Sequence, residues 1–394
     1  MKEFKRYFAK IEELRETELE RLTAFGIDVD SVKSFCILPG FTDVHVHLRE
    51  PGFLYKETVA TGTKAAAAGG FTDIMSMPNL KPVPDCPANL QIQLDAITRD
   101  ACIHVYPYGA ITAGQMGEKL ADMEAMASKV TAFTDDGRGV MSDTLMQEAM
   151  TEAKRLNKMI VAHCEDENFP KASSEAEWMQ LKRDLELVRH TGCAYHMCHV
   201  STKESVQLIR EAKADGLNVT VETAPHYLTF NRDIIEDDGR FKMNPPIKGE
   251  EDRLAVIEAV ADGTIDMIAT DHAPHSAEEK RGGMSGAAFG IVGLETCFPV
   301  MNKYMVEPGI ISMEKLMELM YINPRKRFGL DAPDMDRLLE ADAPSFSIWD
   351  LESEYSVNPD EFMTMGRSTP YDGMTVKGRC IMTVVDGRIV YRRD

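Results

Sequence analysis

Eight short apolar runs, each ending in polar residues and separated by helix-patterned stretches, constrain this chain more than any other feature. They occupy residues 43–47, 74–79, 105–110, 130–136, 160–165, 195–201, 219–225 and 268–275. Between them, helical periodicity and C-terminal glycines predict helices over 56–68, 88–100, 116–127, 142–156, 176–190, 203–214 and 251–261. Strand and helix in strict alternation, repeated eight times, predict an α/β fold of the (β/α)8 TIM-barrel type, with functional groups at the C-terminal ends of the strands. A doubly wound open sheet is the competing arrangement, but it gathers its ligand groups at one switch point rather than spreading them over most strands.

The flanks read differently. Phe4, Phe8, Ile11, Leu14, Leu22 and Phe25 sit among dense charges, predicting an amphipathic N-terminal helix over 2–25. After residue 340, the runs 345–349 and 380–391 alternate apolar and polar side chains, and Asp386-Gly387 is a strong hairpin turn. The expected organisation is a helical extension over 1–34, a barrel over 35–335 and a small, partial β domain over 336–394.

Charge and composition narrow the function. With 44 basic against 64 acidic residues and a net charge of −20, a general attraction to nucleic acid or to an anionic membrane is not expected, so an anionic ligand must meet local cations. No apolar run reaches the roughly 18 residues of a membrane span, and the charged N-terminus does not resemble a signal peptide, so the expected location is cytoplasmic. The eight cysteines are scattered without a CxxC pair, as reduced buried thiols are.

His45 and His47 are two apart on the first run, so both side chains project from one face and can converge on one metal ion. His163, His199 and Asp271 also fall at the ends of runs. Five N/O donors exceed what one tetrahedral zinc takes and point to a binuclear site, which needs a bridging anion. Asp135 or Asp136 can supply it, although paired Asp before Gly137 is also ordinary turn chemistry. Arg49 keeps to the side of His47 and suits a bidentate grip on a carboxylate, while Asn79, Asn244 and His275 lie in loops where a substrate would rest. The glycine-rich stretch 281–290 matches no phosphate loop.

The segments 39–52, Met77-Pro-Asn79, Thr134-Asp-Asp-Gly137, His163-Cys-Glu-Asp166, His199-Val-Ser-Thr202, Asn244-Pro-Pro246, 269–275 and 289–296, taken in register, resemble class I dihydroorotases of the amidohydrolase superfamily. The resemblance implies two zinc ions. His45 and His47 would hold one, His163 and His199 the other, and Asp136 would stand where many superfamily members carry a carboxylated lysine, with Asp135 as the fallback. Asp271 would be both ligand and proton shuttle. Arg49, Asn79 and His275 would hold the substrate carboxylate, with His47 nearby, and Asn244, Phe289 and Gly290 would contact its ring. His226 is left structural.

The implied reaction is the reversible cyclisation of N-carbamoyl-L-aspartate to L-dihydroorotate in pyrimidine biosynthesis. The family also forms homo-oligomers or pairs with aspartate transcarbamoylase. A hydantoinase, dihydropyrimidinase or allantoinase would share the metal site but not a carboxylate clamp; a non-catalytic scaffold would be expected to have lost ligands. Two departures from the family are expected: a charged helix in place of the opening β-strands, and a shorter segment between His163 and His199.

Overall fold

The computed structural model describes residues 6–393. Its strands are β1 (Ala9–Lys10), β2 (Cys36–Pro39), β3 (Phe41–Val46), β4 (Phe71–Ser76), β5 (His104–Pro107), β6 (Met159–Ala162), β7 (Ala194–Met197), β8 (Val219–Thr223), β9 (Met267–Ile268), β10 (Phe346–Ser356), β11 (Thr375–Val385) and β12 (Arg388–Arg392). β3-β4-β5 and β6-β7-β8-β9 form two parallel arcs. The fourth expected strand is reduced to single bridges, from Phe133 to Gly109 and to Ile160, and these join the arcs. A bridge from Val46 to His272 closes the ring into a (β/α)8 barrel. Asp43 reinforces the closure, accepting from Thr270 Oγ1 at 2.6 Å and from the His45 amide at 3.0 Å.

Helices cover the barrel where periodicity predicts them, as at Pro87–Asp100, Asp143–Arg155, Glu175–Thr191, Lys203–Ala214 and Glu250–Asp262. Thr58 caps Val59–Ala68, its hydroxyl accepting from the Thr61 amide at 3.1 Å, a contact worth about 1 kcal/mol. The helix expected over 116–127 shrinks to Met123–Met126, because Gly114, Gln115 and Gly117 take left-handed backbone angles that no α-helix accommodates.

The N-terminal expectation needs correction. Phe4 lies outside the described residues, and the rest of 2–25 is not one helix: β1 precedes a short 3-10 turn, and the helix runs only over Glu16–Ala24. β1 pairs with β2, which pairs with β10, in a five-stranded sheet of order β1-β2-β10-β11-β12. The opening segment thus does contribute strands to the small sheet. Ile11, Leu14 and Leu22 bury against Leu338, Phe346 and Val384, which explains the apolar periodicity without a long helix. Asp386 and Gly387 turn β11 into β12 with φ of 50° and 73°, the pair of positive angles a type I′ turn requires. Trp349 packs against Phe298 with ring centroids 4.3 Å apart and planes tilted by 47°, between sheet and barrel. All eight cysteines are free.

Candidate metal centre and substrate cavity

At the C-terminal ends of the barrel strands, His45, His47, Asp136, His163, His199 and Asp271 converge, all buried. Asp136 is common to two groups of donors, one with His45 and His47 and the other with His163 and His199; within each group the ligand atoms lie within 4.8 Å of one another. Its Oδ1 is 3.3 Å from His45 Nε2 and 3.6 Å from His163 Nδ1, and its Oδ2 is 3.4 Å from His47 Nε2. Asp271 Oδ1 lies 3.3 Å from His45 Nε2 and 3.2 Å from His47 Nε2.

Hydrogen bonds on the far side of the rings fix which nitrogen is offered. His45 Nδ1–H donates to Glu222 Oε1 at 2.7 Å, leaving the Nε2 lone pair aimed at the two aspartates. His163 Nε2–H donates to Glu165 Oε2 at 3.1 Å, leaving Nδ1 beside Asp136 and 3.0 Å from His199 Nε2. The His45 Nε2 and His163 Nδ1 lone pairs therefore face Asp136 Oδ1, with His199 Nε2 closing on His163 Nδ1. His45 Nε2 and Asp136 Oδ1 are buried with no hydrogen-bond partner, an arrangement that costs energy unless a cation sits among them.

The electrostatics agree. Burial disfavours charge on His45, but Asp136 and Asp271 outweigh it and hold its pKa well above the usual imidazole value. Burial likewise opposes ionisation of Asp136, yet His45, His163 and His199 keep it well below the carboxylate range. His47 moves the other way, lowered by burial and by neighbouring Arg49 despite its contact with Asp271. The donor set, nitrogen and carboxylate oxygen in two groups sharing one carboxylate, fits a pair of zinc-type ions.

Asp135 points elsewhere. Its carboxylate accepts from the Ile111 and Thr112 amides at 2.8 and 3.1 Å and from the Thr112 hydroxyl, pinning the loop after β5.

Above the donors opens a cavity of about 250 Å³, reached by His47, Arg49, Asn79, Asn244, His275 and the Phe289-Gly290 segment. Arg49 Nε donates to the Pro274 carbonyl at 3.2 Å, with the rest of its fork beside His275. His275 Nε2–H donates to the Phe289 carbonyl at 2.8 Å while Nδ1 faces Lys56 Nζ at 3.3 Å, and burial together with Arg49 and Lys56 drops its pKa to about 3, so it is neutral. Asn79 donates one amide hydrogen to the Asp136 carbonyl at 2.5 Å, and Asn244 donates to Glu165 Oε2 at 2.6 Å. His226 is buried, is absent from every donor group, and burial lowers its pKa to about 4.

Sequence reasoning missed three contributors. Glu222 lies on the seventh run, but its partners His45 and His199 are remote in sequence. Glu165 lies two residues after His163 and was legible as a polar residue past a strand end. Lys171, which pairs with Glu165 and lines the cavity, sits in an irregular loop with no pattern to mark it.

A closed parallel barrel carrying two imidazole pairs around a shared aspartate is an amidohydrolase arrangement compatible with a metal site. Comparison with known proteins sharpens this class. A family profile described as dihydro-orotase-like matches residues 35–180. The dihydroorotase of Fusobacterium nucleatum is 45% identical over 98% of this chain and 95% of its own length, and that of Bacillus cereus is 44% identical over 95% and 91%. Among solved structures, an L-hydantoinase (dihydropyrimidinase) from Arthrobacter aurescens superimposes with a TM-score of 0.79 at 25% identity, covering 90% of this chain and 85% of its own. A dihydropyrimidinase from Brevibacillus agri gives 0.78 at 21%, over 90% and 85%. The chain belongs to the dihydroorotase family.

Proposed function

We propose that the protein interconverts N-carbamoyl-L-aspartate and L-dihydroorotate at a two-zinc centre, a step of pyrimidine biosynthesis carried out in the cytoplasm. The observation that carries the reading is the sharing of Asp136 between two histidine pairs directly beneath a cavity edged by Arg49. His45 and His47 would hold one ion and His163 and His199 the other, with Asp136 common to both groups and Asp271 beside His45 and His47. Bound there, the ions supply Lewis acidity that polarises the ring amide carbonyl and acidifies water.

The chain's own groups do the rest. Arg49 and the second amide hydrogen of Asn79 hold the substrate carboxylate, with His275 packed beside the Arg49 fork; Asn244 and the Phe289-Gly290 backbone orient the ring. In ring opening, Asp271 Oδ1 takes the proton of the attacking water as the new C–O bond forms, and delivers it to the ring nitrogen as the C–N bond breaks. Cyclisation runs the same transfers backwards.

Hydantoinase-type chemistry is the second reading, favoured by the structural neighbours. The test is zinc content measured alongside hydrolysis of L-dihydroorotate, dihydrouracil, hydantoin and allantoin. About two zinc ions per chain with activity on dihydroorotate alone is the expected result. Zinc with activity on a ring lacking a carboxylate would refute the assignment in favour of the second reading.

A further inference from the structure

One wall of the cavity hangs on a largely buried ammonium group. Lys280 Nζ donates to three main-chain carbonyls, those of Gly290 at 2.6 Å, Ala288 at 2.7 Å and Lys242 at 3.1 Å. They come from two segments, the loop after the Gly283–Gly286 turn and the strand-like stretch after the Gly239–Phe241 turn. One main-chain bond also ties these segments, from the Gly290 amide to the Lys242 carbonyl at 2.9 Å. The Lys280 ammonium is therefore the crosspiece that fixes how far the Phe289-Gly290 edge stands from Lys242.

The position of that edge bears on the rest of the cavity. Gly290 sits at φ +132°, and a Cβ there would lie 2.6 Å from the Ala273 carbonyl oxygen. The Phe289 carbonyl receives the His275 hydrogen bond, and its ring lies under the Lys242 ammonium at 4.6 Å. A shift of the edge would carry His275 with it and, through His275, alter the surroundings of Arg49. A strut serving packing alone could be apolar. An ammonium held by three carbonyls instead sets direction, because each donor hydrogen has one place to go.

We propose that Lys280 is a positioning residue that holds the Phe289-Gly290 edge against the ring of the bound cyclic amide, an inference that rests on the function proposed above. Burial and Lys242 lower the Lys280 pKa to about 8, against the pull of Asp238. Arg240, His275 and Arg367 line the same small cavity beside it.

K280M tests the proposal by two independent readouts. Kinetically, KM for L-dihydroorotate should rise about tenfold or more while kcat changes less and zinc content stays the same; K280R, which keeps the charge and the donors, should recover most of the loss. The KM of the unmutated enzyme should also climb as pH passes about 8, and the K280R profile should stay flat there. Independently of substrate, hydrogen exchange of the 286–291 amides should accelerate at least about tenfold in K280M with the barrel strands unchanged. Unchanged exchange and unchanged KM in K280M would overturn the proposal. An unmutated protein that binds zinc but ignores dihydroorotate would overturn the functional reading instead, and the exchange result would still decide the role of Lys280. Should K280M not fold, K280Q, with two N–H donors on a shorter stem, takes its place with the same expectations.

Discussion

Replacing Glu222 by Gln isolates the contribution of one buried charge to the proposed metal centre. Its carboxylate serves three donors: Oε1 accepts from His45 Nδ1 at 2.7 Å and from the His199 amide at 3.3 Å, and Oε2 accepts from His196 Nε2 at 3.0 Å. Burial pushes its pKa up, but His45 and His196 more than offset this and hold it at about 2, so it is ionised at neutral pH. In E222Q the amide oxygen can keep the place of Oε1. The NH2 group then faces His196, whose ring can change tautomer and donate from Nδ1 to Thr220 Oγ1, 2.9 Å away. Shape survives and the charge is lost.

A hydrogen bond to an ionised acceptor is worth about 1.5–3 kcal/mol, against about 0.5–1.5 for a neutral one, so His45 becomes a poorer ligand by about 1 kcal/mol. That predicts zinc affinity about fivefold lower in E222Q. E222A also frees the ring to rotate and should cost about 10–100-fold. Chelator competition at pH 7 measures both, and kcat at saturating zinc should be largely restored in E222Q. Zinc affinity unchanged in both variants, with the fold intact, would refute the claim that Glu222 presents His45 to the metal.

Four further outcomes follow from the same geometry. R49M should keep its zinc yet raise KM for dihydroorotate by about 30–100-fold, the loss of about 2–3 kcal/mol from one charged clamp, read by steady-state kinetics. D136A should bind fewer zinc ions than the unmutated chain by elemental analysis. D135A should keep the full complement but melt earlier, since the Ile111 and Thr112 amides lose their acceptor at a cost of about 1–3 kcal/mol each. H104Q should melt below the unmutated protein at pH 6, with the gap closing as pH rises past 9: the hydrogen bond to Asp73 lifts the His104 pKa to about 9, so its stabilisation is full below about 6.5 and lost through 9.

How much of this could be read from the chain depends on which periodicity carried the information. His45 and His47 were legible because a strand repeats every two residues, and Asp271 because it closes an apolar run. Asp135 and Asp136 were not separable, since the fourth run is no continuous strand: Phe133 alone bridges its neighbours, and without a ladder there is no alternation to say which carboxylate faces inward. The N-terminal segment misled for the opposite reason. Its apolar positions repeat at helical spacing, but Ala9 and Lys10 pair with Ile37 and Cys36, a contact across 28 and 26 residues that local pattern cannot encode.

The site also departs from local rule in its backbone. Arg49, His199 and Asp271 all take positive φ, 61°, 32° and 48°, each just past the end of a barrel strand or inward-facing run. A side chain in this region costs about 1–2 kcal/mol, which glycine would avoid. Glycine, however, could neither bind a cation nor grip a carboxylate. At these three positions the chain turns sharply out of the strand so that a functional side chain reaches over the barrel mouth, and the strain is held by the closed ring beneath: the His47 amide bonded to the His272 carbonyl at 2.8 Å, and the Val200 amide to the Glu222 carbonyl at 2.9 Å. A rigid barrel is thus what allows the three residues to keep conformations that their own sequence disfavours.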